Sequence, residues 1–131
     1  MCQQRSIEQI NNAIGAHGAW KLRLRSAISS GRGDINAITA GRDDLCEFGK
    51  WLNSSDIDAE TRNGMPYQVV RRLHTEFHRT AGRVLALVEA RHVDAAKDCM
   101  SGEFTERSEK LVRAMMKWKG QLQNQGGSIA A

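Results

Sequence analysis

Proline is nearly missing from this 131-residue chain, which has only Pro66. That scarcity argues against a turn-rich all-β fold and for long regular elements. Aromatic residues are only 5% of the chain, although three of them are tryptophans. Long apolar runs are also missing. The longest clean one, Val84 to Val88, falls far short of the roughly 20 residues that cross a bilayer, so no membrane span is expected. Gln3, Gln4, Arg5 and Glu8 interrupt any apolar core of a signal peptide. Cysteine is scarce and scattered (Cys2, Cys46 and Cys99), which excludes a disulfide scaffold. A reducing cytoplasm is the expected setting, with thiols free for metal or redox work. Charge of one sign is not clustered either. Nineteen Lys+Arg against 15 Asp+Glu give a net +4. Because bases alternate with acids along most of the chain, nucleic-acid binding is not expected.

The sequence does contain helical periodicity on the scale of one domain, with a core over about residues 5–123. A first helix is expected from about Ser6 to Ile28, with Ile7, Ile10, Ile14, Leu24 and Ile28 on one stripe and His17 inside it. Ser29, Ser30, Gly31 and Gly33 break it, and residues 34–41 read as a connection. A short helix is expected over Asp43 to Leu52, with Leu45, Phe48 and Leu52 on one face and Cys46 at its edge. A polar stretch follows, closed by Asn63-Gly64 and Pro66. The next helix should run from Pro66 to about Arg91, its apolar face made by Val70, Phe77, Ala81, Leu85 and Val88. Arg72, Arg79 and Arg83, with Glu76 among them, read as a solvated face with local ion pairs. The last helix is expected from about Val93 to Leu122, one stripe throughout except where Arg107 intrudes. Residues 124–131 should fray. The architecture implied is all-α: an antiparallel four-helix bundle with an additional short helix carrying Cys46.

Polar residues on the apolar faces carry the chemistry. His74 and His78 are four apart and therefore stacked on one helical face, pointing at the core. His17 points at the core from another helix. A single core histidine is usually satisfied by a hydrogen bond. Three on two helices need three separate sets of partners, whereas one divalent cation satisfies a lone pair on each. Cys46 adds a fourth donor and a negative charge. A tetrahedral His3Cys zinc site then accounts for all four residues together, since zinc accepts mixed nitrogen and sulfur ligands.

The same residues carry a family resemblance. His17-Gly-Ala-Trp20, Cys46-Glu-Phe-Gly49-Lys-Trp51 and His74-Thr-Glu-Phe-His78 resemble the chemoreceptor zinc-binding domain. That family's pattern is a His followed by an aromatic, a C-x-F-G-x-W block and an H-x-x-x-H pair. Pro66-Tyr67 ahead of the histidine pair resembles members fused to diguanylate cyclases. The resemblance implies that His17, Cys46, His74 and His78 are zinc ligands, that the fold is a four-helix bundle with a short Cys-bearing helix, and that the chain forms a homodimer. It further implies a sensory role toward zinc or oxidants such as hypochlorous acid, in chemotaxis or cyclic-di-GMP signalling. The chain itself shows no methyl-accepting coiled coil or GGDEF domain, so the output partner is expected outside it.

Four protein ligands close a zinc sphere, whereas catalytic zinc keeps an open position. Glu76 is two residues after His74, not one, so the metalloprotease H-E-x-x-H arrangement is absent. No enzyme activity is expected. The competing reading is a zinc-stapled helical interaction module without a sensing role. Glu76, Asp44 and Glu47 are candidates to accept a hydrogen bond from a ligand histidine, with the solvated role preferred for Glu76. Gly49 is expected to let the Cys46 helix pack closely on its neighbour. Trp20 and Trp51 are expected in the core or at a dimer contact, His92 at a helix end, Cys99 as a packing residue, and Cys2 in a disordered terminus.

Overall fold

The structure is a computed structural model that describes the backbone of residues 2–130 and the side chains of residues 4–124. Cys2 and most of the tail expected to fray therefore lie outside the described side chains. Among the described residues there is no strand, and no helix is long and apolar enough to cross a membrane. Seven α-helices follow one another: α1 (Cys2–Ser30), α2 (Ala37–Ala40), α3 (Glu47–Leu52), α4 (Ala59–Asn63), α5 (Met65–Glu89), α6 (Val93–Cys99) and α7 (Thr105–Ala130). A π-helical segment, Met100–Phe104, joins the last two.

The chain forms an all-α bundle. Gly33, three residues past the end of α1, meets Leu85 near the end of α5, while Ser6 and Pro66 line one cleft at the opposite end. Helices α1 and α5 therefore run the same way. The segment 31–64 returns between them as the second member of the bundle, broken into α2, α3 and α4. The final member, α6 to α7, runs back antiparallel to α5, with Phe77 packed on Phe104 at 5.2 Å and Tyr67 on Trp118 at 6.1 Å.

Local chemistry explains the breaks. Gly31 sits at φ +84°, and its N–H reaches Ala27 O at 2.9 Å, a left-handed cap that only glycine adopts without strain. At the other hairpin Arg91 takes φ 64°. Its N–H bonds Val88 O, and the N–H of His92 bonds Leu87 O, the paired bonds of a Schellman turn. His92 is exposed at the start of α6, as expected of a helix-end residue.

Several expectations need correction. The stripe of α1 is centred on Ile10, Ala13, His17, Trp20, Leu24 and Ala27, leaving Ile7, Ile14 and Ile28 at its half-buried edges. Residues 34–41 are not only a connection, because Asn36 caps α2 by accepting from Thr39 N–H at 2.8 Å. The Cys46 helix begins at Glu47 rather than Asp43, so Leu45 lies outside it and is 42% exposed instead of sharing the Phe48 face. The polar stretch after it contains α4, capped by Asp58. The expected continuous last helix is interrupted by the π segment, which leaves Phe104 fully buried against Phe77. Val93 is 38% exposed instead of joining the stripe. The ion pairs of the α5 arginine face are not local. Glu76 pairs with Arg107 at 3.4 Å, and Arg83 pairs with Glu103, both across to the last member of the bundle. Arg107, the intruder in the stripe, is thereby accounted for.

Candidate metal centre

Three helical elements place the predicted donors together. His17 lies one turn after Ala13 on the buried stripe of α1 and is 2% exposed. His74 and His78 lie one turn apart on α5, each 1% exposed. Cys46 is the N-cap residue of α3: its backbone is extended, and its sulfur accepts the Gly49 N–H at 3.3 Å. One ligand atom from each of the four residues falls within 4.8 Å of all the others.

The spacing within this set fits one small dication. His17 Nε2 is 3.1 Å from His74 Nε2 and 3.3 Å from His78 Nε2, and Cys46 Sγ is 3.3 Å from His74 Nε2. Nitrogens at zinc bond lengths on a tetrahedron stand about 3.4 Å apart. The outer ring nitrogens point the same way. His17 Nδ1 donates to Ala13 O at 2.7 Å, and His78 Nδ1 donates to Ala40 O at 3.1 Å. With the proton assigned to Nδ1 by these carbonyls, each Nε2 presents a lone pair inward. Two acceptors facing one another at 3.3 Å, His17 Nε2 and His78 Nε2, are an arrangement that a shared cation satisfies.

The electrostatics agree with a neutral donor set. Burial lowers the His17 pKa to about 4, and nearby His78 adds to the effect. Burial also lowers His74, helped by His78 and His17, and lowers His78 against the opposing pull of its Ala40 bond. The Cys46 thiol is pushed up by burial, opposed by the N–H groups of Gly49 and Phe48. A bound dication reverses that balance for sulfur and holds it as thiolate.

Aromatic edges dry the shell. Phe48 stands 5.9 Å from His17 and 5.2 Å from His74; Phe77 is 4.9 Å from His17, and Trp20 is 5.8 Å from His78. Trp51 stacks on Trp118 at 5.6 Å, tying α3 to α7.

The residues named as acceptors for the candidate ligand histidines do not serve. Asp44 is held by Arg42 at 2.8 Å, Glu47 is exposed beside Lys50, and Glu76 is turned to Arg107. Backbone carbonyls of Ala13 and Ala40 take that role instead. Gly49 is needed for a different contact from the one expected. A Cβ there would lie 1.7 Å from the Asp43 carbonyl oxygen, so the glycine lets α3 fold against its own lead-in loop. A close approach to a neighbouring helix does occur at Gly82, where a Cβ would be 2.9 Å from both Ala37 O and Gly41 Cα. Asp43, expected as the start of the short helix, instead lies ahead of it, accepts the Thr75 hydroxyl and so ties this loop to α5.

A profile of the chemoreceptor zinc-binding domain matches residues 17–85, from the first donor to past the last. The chain belongs to the chemoreceptor zinc-binding domain family. It is accordingly a zinc-binding domain, and zinc is the metal that its buried His/Cys cluster is positioned to hold. Comparison with curated proteins and with solved structures returned no match. The family is one of zinc-binding signalling domains rather than catalysts.

Proposed function

We propose that this chemoreceptor zinc-binding domain is a sensory unit whose His17, Cys46, His74 and His78 hold one zinc ion. Its output is set by zinc occupancy or by oxidation of Cys46. The observation that carries this reading is the unequal anchoring of the donors. Three sit on long packed helices, and the fourth caps a helix of six residues. Bound zinc supplies the charge that joins these two parts and keeps the sulfur ionised, the form that oxidants attack. Hypochlorous acid would take two electrons from the Cys46 thiolate, giving a sulfenic acid and chloride. The oxidised sulfur is a poorer donor, and α3 is released from the histidines.

Four protein donors leave no open position for a substrate water, which supports a non-catalytic role. In this reading the domain works in the cytoplasm as a homodimer. It passes its state to a chemoreceptor or diguanylate cyclase output, and so to chemotaxis or cyclic-di-GMP signalling.

Elemental analysis tests the ligand set. The purified chain is expected to carry about one zinc, and Cys46→Ala to lower its zinc affinity by at least about tenfold. Stoichiometric zinc that survives this change with unaltered affinity removes Cys46 from the site. Mass spectrometry after limiting hypochlorous acid should find Cys46 modified before Cys99, with zinc released in proportion. Oxidation of Cys99 first refutes the redox arm.

A further inference from the structure

The three histidines of the metal centre are not held alike. His17 and His78 each bond a backbone carbonyl at Nδ1, through Ala13 O and Ala40 O. His74 makes its hydrogen bonds at Nε2, toward Cys46 Sγ and His17 Nε2, and its Nδ1 has no partner among the described residues. A histidine that gives Nε2 to a metal carries its proton on Nδ1, and that N–H is almost always held by a carboxylate, a carbonyl or water. At 1% exposure His74 has no open face toward solvent from which to draw one.

His74 does line a polar cavity of about 80 Å³. None of the other three donors lines it, so the cavity abuts the outer side of the ring, away from the donor set. Asp43 supplies the only carboxylate on its wall. That side chain is half-buried and forms no ion pair among the described residues. One of its oxygens accepts the Thr75 hydroxyl, and the other is unclaimed. Burial dominates the behaviour of His78 and Cys46, but the Asp43 charge also reaches both and raises the pKa of each. One buried donor and one acceptor without partners thus share a small polar space, wide enough for a bridging water.

We propose that Asp43 is a positioning residue for His74, its carboxylate accepting the Nδ1–H across this cavity, directly or through one water, and so fixing the ring with Nε2 toward the metal. The proposal rests on the zinc-ligand reading above and deepens it. Each of the three imidazoles then has its own acceptor, two from the backbone and one from the loop that leads into α3. Because Asp43 precedes Cys46 on that loop, the histidine and cysteine donors are joined through it as well as through the ion.

Two conservative variants separate this role from tying the loop to α5. Asp43→Asn can still accept the Thr75 hydroxyl but loses the charge and the second acceptor oxygen. Thr75→Val loses the tie and keeps the carboxylate. Zinc affinity of the full chain is measured by competition with a chromophoric chelator. Asp43→Asn should lower it at least about tenfold, and Thr75→Val by less. Proton–nitrogen NMR of the zinc-loaded chain should show a downfield, slowly exchanging His74 Nδ1–H that persists in Thr75→Val and is lost in Asp43→Asn. The reverse order of affinities, an unchanged affinity in Asp43→Asn, or a His74 Nδ1–H that exchanges freely in the wild type overturns the proposal. Loss of the resonance in Asn53→Ala but not in Asp43→Asn gives the acceptor role to Asn53, which also lines the cavity, and overturns it equally. The two failures are distinguishable: a wild-type chain that binds no zinc removes the ligand set and this proposal with it, whereas bound zinc that is indifferent to Asp43→Asn removes the proposal alone.

Discussion

His17, His74 and His78 reach the metal centre from helices of 29 and 25 residues, whereas Cys46 reaches it from the first position of a helix of six. The histidine half is part of the hydrophobic core: Ile10, Leu24, Val70, Phe77 and Ala81 flank it on the same stripes, all with 0% exposure. Fully burying such side chains contributes about 1.5–3 kcal/mol each for the larger ones. The cysteine half depends on a loop, a cap, the Asp43–Thr75 hydrogen bond and the Trp51–Trp118 stack. The histidines therefore sit mid-helix within the core, while the sulfur sits at the first position of a short helix that reaches the same core only through Phe48, Trp51 and Leu52. Local stability in proteins is uneven in this way, and switching elements come from the weaker end.

Acid should strike the histidine half and produce the largest effect. In zinc-free protein the imidazoles are buried and neutral, with His17 lowered to about 4. An unfolded histidine titrates near 6.5. Between these values the unfolded chain binds a proton that the folded chain refuses. The contribution to stability is thus fully present above the unfolded value and is lost as the pH falls toward the folded one. His17 alone corresponds to about 3 kcal/mol, and His74 and His78 are shifted in the same direction. Cys46 behaves oppositely. Its thiol is raised from an ordinary 9.0, so its contribution is present below that value and is lost as the pH rises through it. Urea midpoints of the chelated protein should fall steeply between about pH 6.5 and pH 4. A flat profile there would show that the histidine half is not buried and neutral.

This division also marks what was legible in the sequence. His17, His74 and His78 stood out because polar side chains occupied positions whose neighbours repeat with helical periodicity, and that periodicity is a property of the long packed elements. Cys46 stood out through the Cys-x-Phe-Gly-x-Trp spacing. The partners of the histidines were not legible, because the carbonyls of Ala13 and Ala40 carry no side-chain signature. Helix α2 covers four residues, barely one turn, too few for periodicity to register. The Glu76–Arg107 and Arg83–Glu103 pairs join residues 31 and 20 positions apart, distances at which sequence spacing does not report contact. The π segment depends on how Phe104 meets Phe77, a tertiary requirement that the apolar stripe alone does not encode.

Gly49→Ala challenges the cysteine half from within. The added Cβ would fall 1.7 Å from a backbone oxygen of Asp43, a contact that rotation of a side chain cannot relieve. The loop must move, and Asp43 also anchors to Thr75. The expected cost is about 2 kcal/mol or more, with weakened zinc binding and retained long helices. Thermal unfolding and zinc content measured together check this. A variant with wild-type zinc affinity would mean that the sulfur tolerates movement of its lead-in loop.

The smallest effect separates the two roles of Cys46 itself. Its sulfur caps α3 through the Gly49 N–H and also faces the three imidazole nitrogens. Serine is a strong N-cap, while its neutral hydroxyl is a poor zinc donor beside a thiolate. Cys46→Ser should therefore lose zinc about as severely as Cys46→Ala but keep the cap. In chelated protein, where only the cap is at stake, Cys46→Ala should unfold about 1 kcal/mol more easily than Cys46→Ser. Urea denaturation of the two zinc-free variants makes the comparison. Equal stabilities would mean that the cap contributes nothing and that α3 is held by its Trp51 and Phe48 contacts. In that case the cysteine half would share the core-like anchoring of the histidine half, and release of α3 on oxidation would no longer be the weakest step available to the domain.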